Sequence, residues 1–177
     1  MTTKILLSGF GGQGILFAGK QLAGFAMHSD YQVTWLPSYG PEMRGGAANC
    51  SVIISDREIG APQVSFPDVL IALNLPSFDK FEPKVTPGGL LIADSTLIPK
   101  ATERTDIRAA YIPATGLASE NGLDGLANVI MLGKLLKERA IFDFDKFCNY
   151  MANSIPASRA SLIEKNQKAL SIGYNYK

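Results

Sequence analysis

Near its start the chain carries a dense glycine run, Gly9-Phe10-Gly11-Gly12-Gln13-Gly14, set between two strongly patterned segments. Before it, Lys4 to Ser8 is a short apolar run, which suits a strand buried on both faces. After it, residues 12–28 place Ile15, Ala18, Leu22, Phe25 and Ala26 at helical spacing. Strand, glycine turn and helix in that order form the opening of a βαβ unit. The run matches G-x-G-x-x-G. Its first glycine allows a tight turn, the next lets backbone approach a ligand, and the third lets helix and strand pack closely. The N–H groups of the helix N-terminus then face a diphosphate or another anion.

The same alternation continues. Gln32 to Leu36 reads as a second strand ended by Pro37, and residues 37–47 read as loop. Asn49 to Ser55, Asp68 to Leu73, Gly89 to Ala93 and Ala109 to Ile112 are further strand-like runs, the third preceded by the Pro87-Gly88 turn. Beyond them the pattern is helical. Leu126, Val129, Ile130, Gly133 and Leu136 form one stripe. Phe144, Phe147, Cys148 and Met151 form a second, with Asp143 as N-cap. Leu162, Ile163, Ala169 and Leu170 form a third, with Ser158 as cap and Gly173 as stop. The expected fold is α/β: three layers, a mostly parallel open sheet, the glycine loop after the first strand and a helical C-terminal tail. No linker or repeat divides residues 1–177, so one domain is expected.

Composition narrows the function. The 17 Lys and Arg balance 16 Asp and Glu, with no block of like charge, so the basic stripe of a nucleic-acid binder is missing. No stretch approaches the roughly 18 apolar residues of a membrane span. Gln13 and Lys20 interrupt what would be a signal-peptide core, and a cytoplasmic protein is expected. The sole histidine, His28, is expected at a helix end and cannot build a multi-histidine metal site or a Ser/His/Asp arrangement. Cys50 and Cys148 lie far apart in apolar segments and are expected as reduced, buried thiols. No metal site is expected. Only 19% of residues are charged, which fits an ordinary apolar-rich domain or one with a partner-covered face.

A dinucleotide site needs an acidic residue roughly 20 positions beyond the glycines, at the end of the second strand. Here that strand ends Thr34-Trp35-Leu36-Pro37-Ser38, with neither an acid for ribose nor a base for a 2′-phosphate. This weighs against NAD(P). It leaves another diphosphate-bearing ligand, or a glycine turn used only for packing or subunit docking. The second loop, Pro37-Ser38-Tyr39-Gly40-Pro41-Glu42-Met43-Arg44-Gly45-Gly46, is expected at the carboxyl edge beside the glycine loop. Tyr39 can stack on a ring, and Arg44 can fork onto a phosphate or carboxylate or pair with Glu42. No catalytic set accompanies these loops. A chain of this kind looks like one part of a larger enzyme.

Ser8 to Ile15, together with Trp35 to Cys50, resembles the gamma subunit of 2-oxoacid:ferredoxin oxidoreductases. The resemblance extends over nearly the whole chain. Asn128-Val129-Ile130-Met131-Leu132-Gly133 is similar to a late helix motif of that family, and Asn166 to Gly173 to its C-terminal helix. The resemblance implies oxidative decarboxylation of a 2-oxoacid to an acyl-CoA with reduction of ferredoxin. It implies thiamine diphosphate and iron–sulfur clusters in partner alpha, beta and ferredoxin-like delta subunits, with none in this chain. Carried over by position, Gly9, Phe10, Gly11, Gly12, Gln13 and Gly14, with Ser38, Tyr39 and Asn128, would approach coenzyme A. Gly40, Pro41, Glu42, Met43, Arg44, Gly45 and Gly46 would meet a partner subunit or the substrate side. That second loop departs from fused relatives, which carry lysines there. Three alternatives stay open: the beta subunit of indolepyruvate ferredoxin oxidoreductase, a non-catalytic structural subunit, and a stand-alone NAD(P)-dependent oxidoreductase; for the isolated chain a homodimer is a further expectation.

Overall fold

The computed structural model describes residues 1–40 and 46–177. Among them six strands form one sheet: β1 (Thr2–Phe10), β2 (Gln32–Tyr39), β3 (Ala47–Ser55), β4 (Val69–Ala72), β5 (Leu90–Asp94) and β6 (Arg108–Ile112). Their order across the sheet is β2-β3-β1-β4-β5-β6. β1, β4, β5 and β6 pair in parallel, whereas β3 pairs antiparallel with both β1 and β2. β3 alone therefore runs against the rest.

Among the described residues six α-helices accompany the sheet: α1 (Ile15–His28), α2 (Leu75–Phe81), α3 (Ala114–Glu120), α4 (Ala127–Arg139), α5 (Phe144–Ser154) and α6 (Ser161–Asn175). The strand period of two explains the layering. Ile5, Leu7, Cys50, Val52, Val69 and Ile71 face one way, into a core shared with α1, α4 and α6. Leu6, Ile53, Leu70, Leu91 and Ala93 face the other way, into a smaller core closed by Phe78 of α2. Among the described residues no helix packs on the β2–β3 part of this second face.

Three sequence expectations shift. The second strand does not end at Leu36: β2 continues through Pro37 to Tyr39, pairing Pro37 with Cys50 and Tyr39 with Ala48. An edge strand tolerates a proline because half its backbone faces away from the sheet. Gly173 does not stop the last helix. It lies inside α6, where an added Cβ would collide with the Ile130 carbonyl of α4, just as one at Gly133 would collide with Leu170. Ser158 does not cap α6 either; it sits in a 3₁₀ turn, Ala157–Arg159, and the helix starts at Ser161 without a side-chain cap. Asp143 does cap α5, accepting from the Lys146 amide at 2.9 Å.

α4 is buried all round, from Asn128 to Leu136, as expected for a helix enclosed between sheet and helices. Its one buried cation, Lys134, meets Glu138 at 2.8 Å and donates to the Tyr176 carbonyl at 3.0 Å. The C-terminal residues are thereby tied to the centre of the molecule. Among the described residues no helix is long and apolar enough to cross a membrane.

Candidate functional site

Two loops meet where β1 ends. The antiparallel ladder runs out to Phe10–Ala47, and one more bond, from the Gly11 amide to the Gly46 carbonyl (2.8 Å), joins the glycine loop to the end of the second loop. The Gly40 amide closes the hairpin onto the Ala47 carbonyl at 3.1 Å. Pro41, Glu42, Met43, Arg44 and Gly45 lie outside the described residues.

Helix α1 begins without a side-chain cap. Its N-cap is Gly14, held at φ 73°, and its first turn has no acidic residue. The first helical bond runs from the Ala18 amide to the Gly14 carbonyl. The amides of Ile15, Leu16 and Phe17 thus have no partner within the helix. They form the positive end of the helix dipole, which favours an anion. A cavity of about 300 Å³ opens there, lined by Phe10, Gly11, Gly12, Gly14, Phe17 and Tyr39 among others. Phe10, Phe17 and Tyr39 are 37%, 39% and 56% exposed. They give this cavity aromatic walls beside amide donors, a combination suited to a flat ring system carrying phosphates.

The remaining candidates fall elsewhere. The Gln13 amide group is used within the protein: Oε1 accepts from the Phe10 amide at 2.6 Å, and Nε2 donates to the Leu73 carbonyl at 3.0 Å. Asn74 at the end of β4 also reaches Gln13 Oε1, at 3.5 Å. Gly9 is buried behind this side chain, and a Cβ there would meet Gln13, Ile15 and Leu73. Asn128, only 4% exposed, donates from Nδ2 to the Gly14 carbonyl at 3.0 Å; its Oδ1 has no partner among the described residues. Gln13 and Asn128 therefore fasten the loop from behind. Ser38 follows the strand alternation to the opposite sheet face and lines a different cavity. Thus Phe10, Gly11, Gly12, Gly14 and Tyr39 come together; Gly9, Gln13, Ser38 and Asn128 do not line that cavity. Sequence reading missed Phe17, although its position in the first turn after Gly14 marks it.

A further crevice, also about 300 Å³, lies on the other side of the glycine loop, between Gly12, Gln13, Leu73 and Thr115. It sits at the ends of β1 and β4, where the strand order reverses and doubly wound sheets hold their ligands. A larger cavity of about 690 Å³ lies far off, between the C-terminal end of α1 and α5, beside Phe25, His28 and Tyr150. Size favours it, but it has neither glycine loop nor helix N-terminus.

Neither thiol is activated. Burial pushes Cys50 up to about 12 and Cys148 up to about 11. Cys148 is half-buried rather than enclosed, which corrects the sequence expectation for it. The two cannot build a four-thiolate cluster. Among the described residues no group of three or more His, Cys, Asp or Glu side chains could hold a metal ion.

A family model described as pyruvate ferredoxin/flavodoxin oxidoreductase matches residues 4–176. The 2-oxoglutarate synthase subunit KorC of Methanocaldococcus jannaschii is 37% identical over 179 residues, covering 98% of this chain and 93% of that one. The ketoisovalerate oxidoreductase subunit VorA of Methanothermobacter thermautotrophicus is 41% identical over 133 residues, covering 75% of this chain. The match spans only 28% of VorA, which is much the longer protein. Among solved structures, the gamma subunit of a keto/oxoacid ferredoxin oxidoreductase from Geobacter sulfurreducens superposes with a TM-score of 0.85 at 28% identity. That match covers 98% of this chain and 95% of that one. The 2-oxoglutarate:ferredoxin oxidoreductase of Magnetococcus marinus, solved with 2-oxoglutarate, coenzyme A and succinyl-CoA bound, gives a TM-score of 0.86 at 21% identity. It covers 97% of this chain and 30% of that one, a likeness of fold.

Proposed function

The chain belongs to the pyruvate ferredoxin/flavodoxin oxidoreductase family, and from that premise we propose that it is the gamma subunit of a 2-oxoacid:ferredoxin oxidoreductase. In this reading the assembled enzyme decarboxylates a 2-oxoacid, transfers the acyl group to coenzyme A and passes electrons to ferredoxin. Thiamine diphosphate and iron–sulfur clusters, held by partner alpha, beta and delta subunits, supply the decarboxylation and electron-transfer chemistry. This chain contributes a binding wall and is not catalytic alone. The names of its relatives favour 2-oxoglutarate or a branched-chain 2-oxoacid as substrate. Coupling to ferredoxin implies a cytoplasmic enzyme.

One observation carries the coenzyme A assignment: an uncapped helix N-terminus, a glycine loop and three exposed aromatic rings line one cavity. Coenzyme A is a diphosphate carrier with a planar base. Its phosphates would take the free amides of Ile15, Leu16 and Phe17, while Phe10, Phe17 and Tyr39 flank its organic parts. It needs no acidic reader at the end of β2. Gln13 and Asn128 hold the loop in place. Gly40 to Gly46 would face a partner subunit or the substrate.

A second reading, in which these loops only dock other subunits, has its own support. Trp35 and Leu36 on the edge strand are about as exposed as Phe17. The test is anaerobic co-expression with the partner subunits, followed by assay of viologen reduction with a panel of 2-oxoacids. Coenzyme A-dependent turnover that requires this chain supports the first reading. A complex that forms but uses coenzyme A equally well with an altered glycine loop leaves docking alone. A chain that joins no complex overturns both.

A further inference from the structure

The bare face of the β2–β3 hairpin is the floor of a second built cavity. It measures about 620 Å³ and lies on the opposite side of the sheet from the aromatic cavity. One wall is the segment between β3 and β4, anchored by buried Val64 and carrying Gln63 and Ser65. The other is the end of α2 and the turn after it, which bring Lys80 and Lys84 to the rim.

The charge pattern is one-sided. Both ammonium groups sit near the same ring, 5.1 and 5.6 Å from the centroid of Phe81. Neither lysine has a carboxylate partner among the described residues. The nearby acids are committed elsewhere: Asp79 pairs with Lys100, and Glu82 accepts from Thr102. Among the described residues no Asp or Glu lines the cavity. Its floor offers small neutral groups, Ser38, Asn49 and Ser51. Ser51, a residue only 5% exposed, lines the cavity.

We propose that this cavity binds a small anion, a metabolite bearing phosphate or carboxylate groups, at a site separate from the glycine loop. Two cations without a carboxylate partner among the described residues, beside several neutral donors, are the chemistry of anion recognition. The volume falls within the roughly 300–1,000 Å³ range of small-molecule sites. A concave floor of small neutral side chains suits a small anion better than a flat partner surface.

The test uses the isolated chain labelled with nitrogen-15, titrated at constant ionic strength with inorganic pyrophosphate and, separately, with citrate. The expected result is saturable shifts centred on Asn49, Ser51, Ser65, Lys80 and Lys84, with a Kd of about 1 mM or tighter for the better probe. The tighter probe assigns the phosphate or the carboxylate source. Lys80→Gln with Lys84→Gln should weaken binding roughly tenfold while leaving the circular dichroism spectrum unchanged, because both side chains are exposed. Ser51→Ala, which removes the hydroxyl without adding volume, should weaken it as well. Three outcomes overturn the proposal: no saturation, shifts centred on Gly11 to Phe17, or affinity unaffected by the lysine substitutions. In each of them the hairpin face is simply a hydrated one.

Discussion

At the scale of residues, the site depends on side chains that do not face its cavity. Gln13 bonds the glycine loop to the end of β4 through Phe10 and Leu73. Gln13→Ala removes both bonds and leaves the exposed Phe10 amide and the partly buried Leu73 carbonyl to find water, so unfolding should cost about 1–2 kcal/mol less than in the wild type. Urea denaturation of the isolated chain measures this. Gln13→Glu should recover only part, since a carboxylate keeps the acceptor for Phe10 but faces the Leu73 carbonyl without a donor. Cys50 gives a pH signature. Burial raises its pKa from 9.0 to about 12, so the folded state holds the proton more tightly than the unfolded chain. That stability is complete below pH 9 and is lost as pH climbs through the interval up to about 12. Stability should therefore fall across this alkaline window, and less steeply in Cys50→Ala once its cavity cost is subtracted. In native protein at neutral pH, Ellman's reagent should leave Cys50 unmodified.

At the scale of elements, the crossing of α4 and α6 is the tightest helix contact that glycine makes possible. Gly133 and Gly173 let two backbones meet where any Cβ would strike a carbonyl. Gly173→Ala should destabilise the protein by roughly 1–3 kcal/mol, even though alanine is the better helix former. A thermal melt showing a raised midpoint would contradict this packing. The same pair marks the limit of what sequence discloses. A glycine near a helix end reads as a stop until the neighbouring helix is known, because interhelical distance is not a local property. Pro37 misleads in the same way, since a proline breaks a central strand but not an edge, and edge position is decided by the whole sheet. Helix α2 leaves little trace, being only seven residues long, although Asn74 caps it (2.8 Å to the Ser77 amide) and Pro76 opens it. By contrast β1, the glycine loop and α1 are legible because periodicity, turn chemistry and burial agree there. Ser38 and Tyr39 are adjacent in sequence, yet strand alternation sends them to opposite faces. Phe17 joins the site only because α1 starts at Ile15, three residues later than the glycine pattern suggests.

At the scale of the whole molecule, the sheet divides the work. One face is covered by α1, α4 and α6, with the glycine loop and its aromatic cavity at the strand ends. The other is closed by α2 and left open over the hairpin. Exposed aromatic and aliphatic side chains gather along β2 and the start of α1, which is the composition of a subunit surface. The central claim is that the free N-terminus of α1 holds the phosphates of coenzyme A. Phe17→Glu tests it most directly, because it moves two observables in opposite directions. A carboxylate in the first turn complements the helix dipole, so the isolated chain should be as stable as the wild type or gain about 0.3–1 kcal/mol. The same carboxylate competes with a bound diphosphate, so in the reconstituted complex the KM for coenzyme A should rise at least about tenfold, with the KM for the 2-oxoacid unchanged. An unchanged KM for coenzyme A in a stable, fully assembled Phe17→Glu complex would contradict the account and leave the loop a docking element.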